Sequence, residues 1–161
     1  MRPTIDLDLL ISLDGARLGI ELKYPRRGMA AEIAGEMFRL STGAEDHGRY
    51  FAVEDLARLE RLVAEEIIDT GALVLLTNVA NVWAPPASRR RVLYDAFRVH
   101  DGHVLAGTMT WGDWGAQGGR PPGATGTVNL TGTYPLKWRD YSTVGGIQFR
   151  CLLVGVERLD S

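Results

Sequence analysis

A single cysteine, Cys151, is the chain's whole thiol content, so no disulfide within the chain is available to hold the fold. That points to a reducing, cytoplasmic compartment, and no charged start with an apolar run and small-residue cleavage site precedes the first strand-like segment. Long apolar runs are also missing. The strongest, Ala72 to Leu76, falls far short of the ~20 residues that a membrane-crossing helix needs, which excludes a transmembrane role. A positive field is missing as well: 18 Lys and Arg against 20 Asp and Glu leave a formal charge of −2, so any contact with nucleic acid must be local. What remains is 161 residues with 45% apolar content, enough for one ordinary core and too apolar for disorder.

Ile5, Leu7, Leu9 and Ile11 alternate with Asp6, Asp8, Leu10 and Ser12, the two-residue period of a strand with one buried face. Asp14-Gly15 follows, the preferred type I′ turn pair, and Leu18, Ile20, Leu22 and Tyr24 alternate again. A two-residue turn fixes the register: Ile11 faces Leu18, Leu9 faces Ile20, Asp8 faces Glu21 and Asp6 faces Lys23. Met29 to Leu40 has the alanines and glutamates of a helix, weakened by Gly35. Over residues 53–68, Val53, Leu56, Leu59, Val63 and Ile67 recur at helical spacing, which predicts an amphipathic helix. Ala72 to Val79 reads as a strand buried on both faces, joined to the first hairpin by a right-handed crossover.

Ala84-Pro85-Pro86 and the cluster Arg89-Arg90-Arg91 divide a single domain, 1–161, into an α/β core over 1–84 and a β-rich extension over 92–161 packed on it. Tyr94 to Val99 and Val104 to Trp111 flank His100-Asp101-Gly102-His103 as a second hairpin. Gly112 to Gly126 reads as a long functional loop, and Gly126 to Tyr134 and Gly146 to Val156 as further strands. The segment Tyr134 to Tyr141 is unusual and has no sequence-level explanation.

The polar face of the first hairpin gathers Asp6, Asp8, Glu21 and Lys23. A solvated face explains such alternation in many proteins. Here, however, a carboxylate opposite a carboxylate is destabilising, and a divalent cation would remove the repulsion. Leu10 shares this face, which predicts that a helix covers part of it and leaves the acids at the edge of a cleft.

The run Ile5-Asp6-Leu7-Asp8-Leu9-Leu10-Ile11, Asp14-Gly15 and Gly19-Ile20-Glu21-Leu22-Lys23-Tyr24 resembles the core of the PD-(D/E)xK nuclease superfamily, in which an aspartate on one strand precedes Glu-x-Lys on the next. The resemblance covers residues 3–83, the Asp8-to-Glu21 spacing being similar to that of Holliday-junction-resolvase-like members. It implies a restriction-endonuclease-like mixed sheet flanked by helices, here with a β-rich C-terminal extension. It also implies an Mg²⁺-dependent nuclease, Mn²⁺ substituting, in which Asp8, Glu21 and the backbone carbonyl of Leu22 hold the ion. Lys23 would position the attacking water and stabilise developing charge. Asp6 is the alternative acid, although its place opposite Lys23 suits a salt bridge. Two family features are missing: the helix before the Asp strand, since only Met1 to Thr4 precede it, and the proline before the aspartate, where Leu7 stands.

Arg26, Arg27 and Arg58 are the candidate substrate-binding cations, Arg58 lying three residues beyond Asp55 on the polar side of the main helix. The implied partner is nucleic acid, DNA ahead of RNA, with no membrane; the sequence does not fix the oligomeric state, although the missing core helix favours a homodimer. A module that keeps the nuclease scaffold for DNA binding or protein assembly, without catalysis, is the alternative. Cys151 reads as a buried hydrophobe, and His100 and His103 lack the neighbours of a zinc site. Trp111, Trp114, Tyr134, Trp138 and Tyr141 read mainly as cross-strand packing, with stacking on bases as the second reading.

Overall fold

Two tight turns organise the N-terminal half of the computed structural model, which describes residues 6–43, 46–87, 91–112 and 126–158. Strands β1 (Leu9–Leu13) and β2 (Ala16–Lys23) are joined at Asp14 and Gly15, whose φ values of 51° and 86° are those a type I′ turn demands. The register is the expected one over this ladder, Leu9 facing Ile20 and Ile11 facing Leu18. Ala34 and Gly35, at φ 52° and 83°, make a second such turn between β3 (Met29–Ile33) and β4 (Glu36–Leu40). The helix expected over Met29 to Leu40 is therefore a hairpin. Helix propensity is a weak prior, and the period-two set Met29, Ala31 and Ile33 overrides it by presenting one face to the sheet.

Helix α1 (Asp46–Ala64) starts earlier and ends sooner than expected. Its end is a Schellman cap: Glu66 takes φ 58°, Glu66 N–H donates to the Val63 carbonyl, and Ile67 N–H donates to that of Leu62. Ile68 then turns inward and is buried. Strand β5 (Thr70–Thr77) returns parallel to β2, as a crossover requires. It is buried on the α1 side and partly open on the other, not buried on both.

Strands β6 (Val104–Thr110) and β7 (Thr127–Pro135) pair with each other, with a bulge between Ala106 and Gly107. The hairpin expected between Tyr94 to Val99 and Val104 to Trp111 does not form, because Asp95–Phe97 is a 3-10 turn. Strands β8 (Trp138–Val144) and β9 (Ile147–Val156) complete a mixed sheet in the order β1-β2-β5-β9-β8. The unusual Tyr134 to Tyr141 segment is thus the end of β7 and the start of β8. The C-terminal half supplies two strands of the main sheet, β9 lying against the central β5. Arg89, Arg90, Trp114 and most of the expected 112–126 loop fall outside the described residues.

The fold is mixed α/β and mostly strand, with α1 between the five-stranded sheet and the β6–β7 hairpin. Leu56, Leu59 and Val63 of α1 meet Leu73, Leu75, Leu152 and Val154 of the sheet in one core. Tyr50, Phe97 and Trp111 close its other end with ring centroids 4.9 to 5.1 Å apart, so Trp111 serves packing. Among the described residues no helix is long and apolar enough to cross a membrane.

Candidate active site

The β1–β2 ladder ends at Leu9 and Ile20 because Asp8 breaks it. Where a continuing ladder would place the Leu7 carbonyl opposite the Leu22 N–H, the Asp8 carboxylate accepts that N–H instead, at 2.7 Å. Leu7 swings to the α1 side, its Cδ1 beside Gly19. The Leu22 hydrogen bond is the main reason the Asp8 carboxyl is held below its ordinary range, with Lys23 adding to it.

Glu21 and Lys23 lie two apart on β2 and point to the α1 side of the sheet. Glu21 is 2% exposed, and α1 supplies its surroundings through Asp55, 4% exposed, and Arg58. Arg58 Nη2 lies 2.9 Å from Glu21 Oε1 and also pairs with Asp55, while Lys23 Nζ pairs with the other Asp55 oxygen. Burial pushes the Glu21 carboxyl up to about 7; the negative charges of Asp55 and Asp8 act the same way, and Arg58 and Lys23 oppose them. Glu21 in turn helps to hold the Asp8 carboxyl down, after Leu22 and Lys23.

The structure therefore brings together Asp8, Glu21 and Lys23, and adds Arg58 as the cation on Glu21. Asp6 takes no part: it is exposed, and the salt bridge expected between it and Lys23 is replaced by Lys23 with Asp55. Leu10 is 58% exposed, so the helix cover expected over it is absent and α1 covers the β2 end of this face alone. Asp55 carries more than a pairing with Arg58. Its signal was present in the sequence, because it falls at helical spacing within the buried stripe of Ala52, Leu59 and Leu62, where an acid requires a partner.

The loop after Lys23 is held from several sides. The Asn78 side chain accepts from the Arg27 N–H at 2.8 Å and donates to the Arg27 carbonyl at 2.9 Å. Arg26 lies over the Tyr24 ring at 5.4 Å and donates to Ser41 Oγ, and its carbonyl accepts from Gly43 N–H. Gly28 N–H donates to Thr42 Oγ1. Arg26 is thus partly committed to its own loop, while the exposed Arg27 is fixed through its backbone. Neither the Asn78 clamp nor the Asp55–Lys23 pair was anticipated.

A hard divalent cation is compatible with the donors present. Glu21 Oε1 and Asp55 Oδ2 are buried and lack well-aligned hydrogen bonds despite facing cations, and Asp8 and Glu21 are in contact. Among the described residues no group of three or more His, Cys, Asp or Glu is arranged as a metal cage. Two carboxylates suit Mg²⁺, which usually keeps several waters and takes substrate phosphate as a ligand. His100 and His103 stack at 4.9 Å between centroids, and burial lowers the pKa of both.

Compared with known protein families, curated proteins and solved structures, the chain matches none.

Proposed function

We propose that the protein is a divalent-metal-dependent nuclease that hydrolyses phosphodiester bonds of DNA on a restriction-endonuclease-like scaffold. The observation that supports this reading is the meeting of Asp8 and Glu21 carboxyls beside Lys23, two residues on from Glu21 along one strand. Asp8 and Glu21, with the Leu22 carbonyl, would hold Mg²⁺ or Mn²⁺. Bound there, the ion would lower the pKa of a water and neutralise charge on the phosphoryl oxygens.

The chain's own groups have separable tasks in this reading. Arg58 fixes the Glu21 carboxylate from the helix side and offsets part of its burial cost. Lys23, held by Asp55, orients water and stabilises the developing charge when substrate phosphate competes for its ammonium. Arg27 and Arg26 contact the flanking phosphates from the loop that Asn78 pins.

The test is cleavage of single-stranded, duplex and branched DNA, with an RNA control, in Mg²⁺ or Mn²⁺. Lys23→Ala should lower the rate by about 10²–10³ with folding retained. Asp8→Asn should abolish turnover and the rise in Tm on adding metal. Wild-type protein that neither cleaves nor gains Tm with metal refutes the proposal. One observation favours the alternative, a DNA-binding module without turnover: both cations of the site, Lys23 and Arg58, are already engaged by carboxylates. DNA binding without cleavage under all these conditions would select it.

A further inference from the structure

The five-stranded sheet has two faces of very different fate. One is covered by α1 over β2, β5 and β9. The other carries Leu9, Ile11 and Leu13 of β1, Ile20 and Leu22 of β2, Val74 of β5 and Leu153 of β9, and among the described residues no helix packs on it. Leu9, Ile11, Leu13, Leu22 and Leu153 are 47%, 48%, 71%, 45% and 66% exposed. Among the described ladder positions of this face, Arg139 is the sole charged side chain. At one end the β3–β4 hairpin stands against the sheet, since a Cβ on Gly145 would lie 2.7 Å from that of Ala31. Between hairpin and sheet is an open apolar cleft of about 220 Å³, lined by Phe38, Ile33, Leu76, Phe149 and Tyr141 among others. Phe38 and Tyr141 on its rim are 55% and 65% exposed.

We infer that this face is the interface of a homodimer in which two sheets stack face to face about a two-fold axis. Two arguments select a second copy. The five leucine and isoleucine residues together with Tyr141 leave about 600 Å² exposed, at the top of the ~300–600 Å² range of a monomer's largest patch, and Ile33 and Phe38 beside the cleft, 41% and 55% exposed, carry it toward the ~800 Å² each partner contributes to a stable interface. The face is nearly uncharged, so it offers a charged partner nothing to read, whereas an identical apolar face satisfies it fully. An axis along β5, the middle strand, lays β2 of each copy over β9 of the other, with Leu22 and Leu153 at the same level because both pair with Val74. Leu9, Ile11 and Leu13 then lie at the Thr70 end of the interface and the cleft at the other, and the sheets stack at about 10 Å. This inference is independent of the proposed chemistry, because Glu21 and Lys23 lie on the opposite face.

Light scattering on the full chain tests it. Wild type should have twice the 17.7 kDa chain mass at micromolar concentration. Ile11→Glu and Leu153→Glu, made separately at positions already exposed in the single chain, should each weaken association at least about 100-fold with circular dichroism and cooperative unfolding unchanged. Cys151, on the same face, gives a second readout: its alkylation should slow as wild-type concentration rises and stay fast in both variants. A wild type that remains monomeric at high micromolar concentration, variants that stay dimeric, or a monomer that instead binds lipid vesicles overturns the inference.

Discussion

Glu60 tests how the β6–β7 hairpin is fastened to α1. Its Oε1 accepts from the Gly132 N–H at 2.7 Å and from the Tyr134 hydroxyl at 2.7 Å, and its Oε2 accepts from the Thr131 N–H at 2.9 Å. One carboxylate on the helix thus satisfies three donors of β7. Glu60→Ala leaves the Gly132 N–H and the Tyr134 hydroxyl without their acceptor in a partly buried place, and exposes the Thr131 N–H to water. At about 1 kcal/mol or more for each of the first two and less for the third, the loss is about 3 kcal/mol. For a chain of this length that lowers Tm by roughly 6–12 °C. Glu60→Gln keeps a carbonyl for Gly132 and Tyr134 but turns an amide N–H₂ toward Thr131, so it should cost only about 1 kcal/mol. Urea unfolding followed by circular dichroism separates the two. Equal losses for Ala and Gln, or an Ala variant within about 0.5 kcal/mol of wild type, would refute the acceptor role.

Two other expectations concern the candidate site. Because the folded Glu21 carboxyl titrates near 7 against an ordinary 4.5, the folded state holds its proton more tightly; this contribution is fully present below about 4.5 and is lost as pH rises through about 7. Metal-free wild type should therefore lose up to about 3 kcal/mol relative to Glu21→Gln across that window. The lowered His100 and His103 work in the opposite sense but are common to both proteins, so parallel urea-derived profiles would contradict the burial of Glu21. Asn78→Ala frees the Arg27 backbone on both sides, with an expected cost of about 1–2 kcal/mol and faster amide exchange at Arg27; unchanged exchange there would show that the loop is held without the clamp.

Features with local causes were legible along the chain. Asp14-Gly15 dictates a turn because both positions must take positive φ, and that turn fixes the register that sets Leu9 against Ile20. The stripe through Leu56, Leu59 and Val63 dictates a helix, and Glu21 and Lys23 two apart on a strand must share a face. Tertiary structure decided what depends on distant partners. Met29 to Leu40 has helix-forming composition, yet becomes a hairpin because its apolar face finds the end of the sheet and the cleft beside Phe149. Tyr134 to Tyr141 shows no pattern until β9 and the Glu60 carboxylate supply its neighbours. Asp8 was expected in the ladder opposite Glu21, but its carboxylate takes the Leu22 N–H and so turns Leu7 inward. Asp55 meets Lys23 only because α1 packs across β2, and Leu10 of β1 is exposed on the same face because α1 stops short of that strand. Periodicity along the chain reports which side of an element is apolar; which surface that side meets is set by long-range packing, and so are the partners of every buried charge.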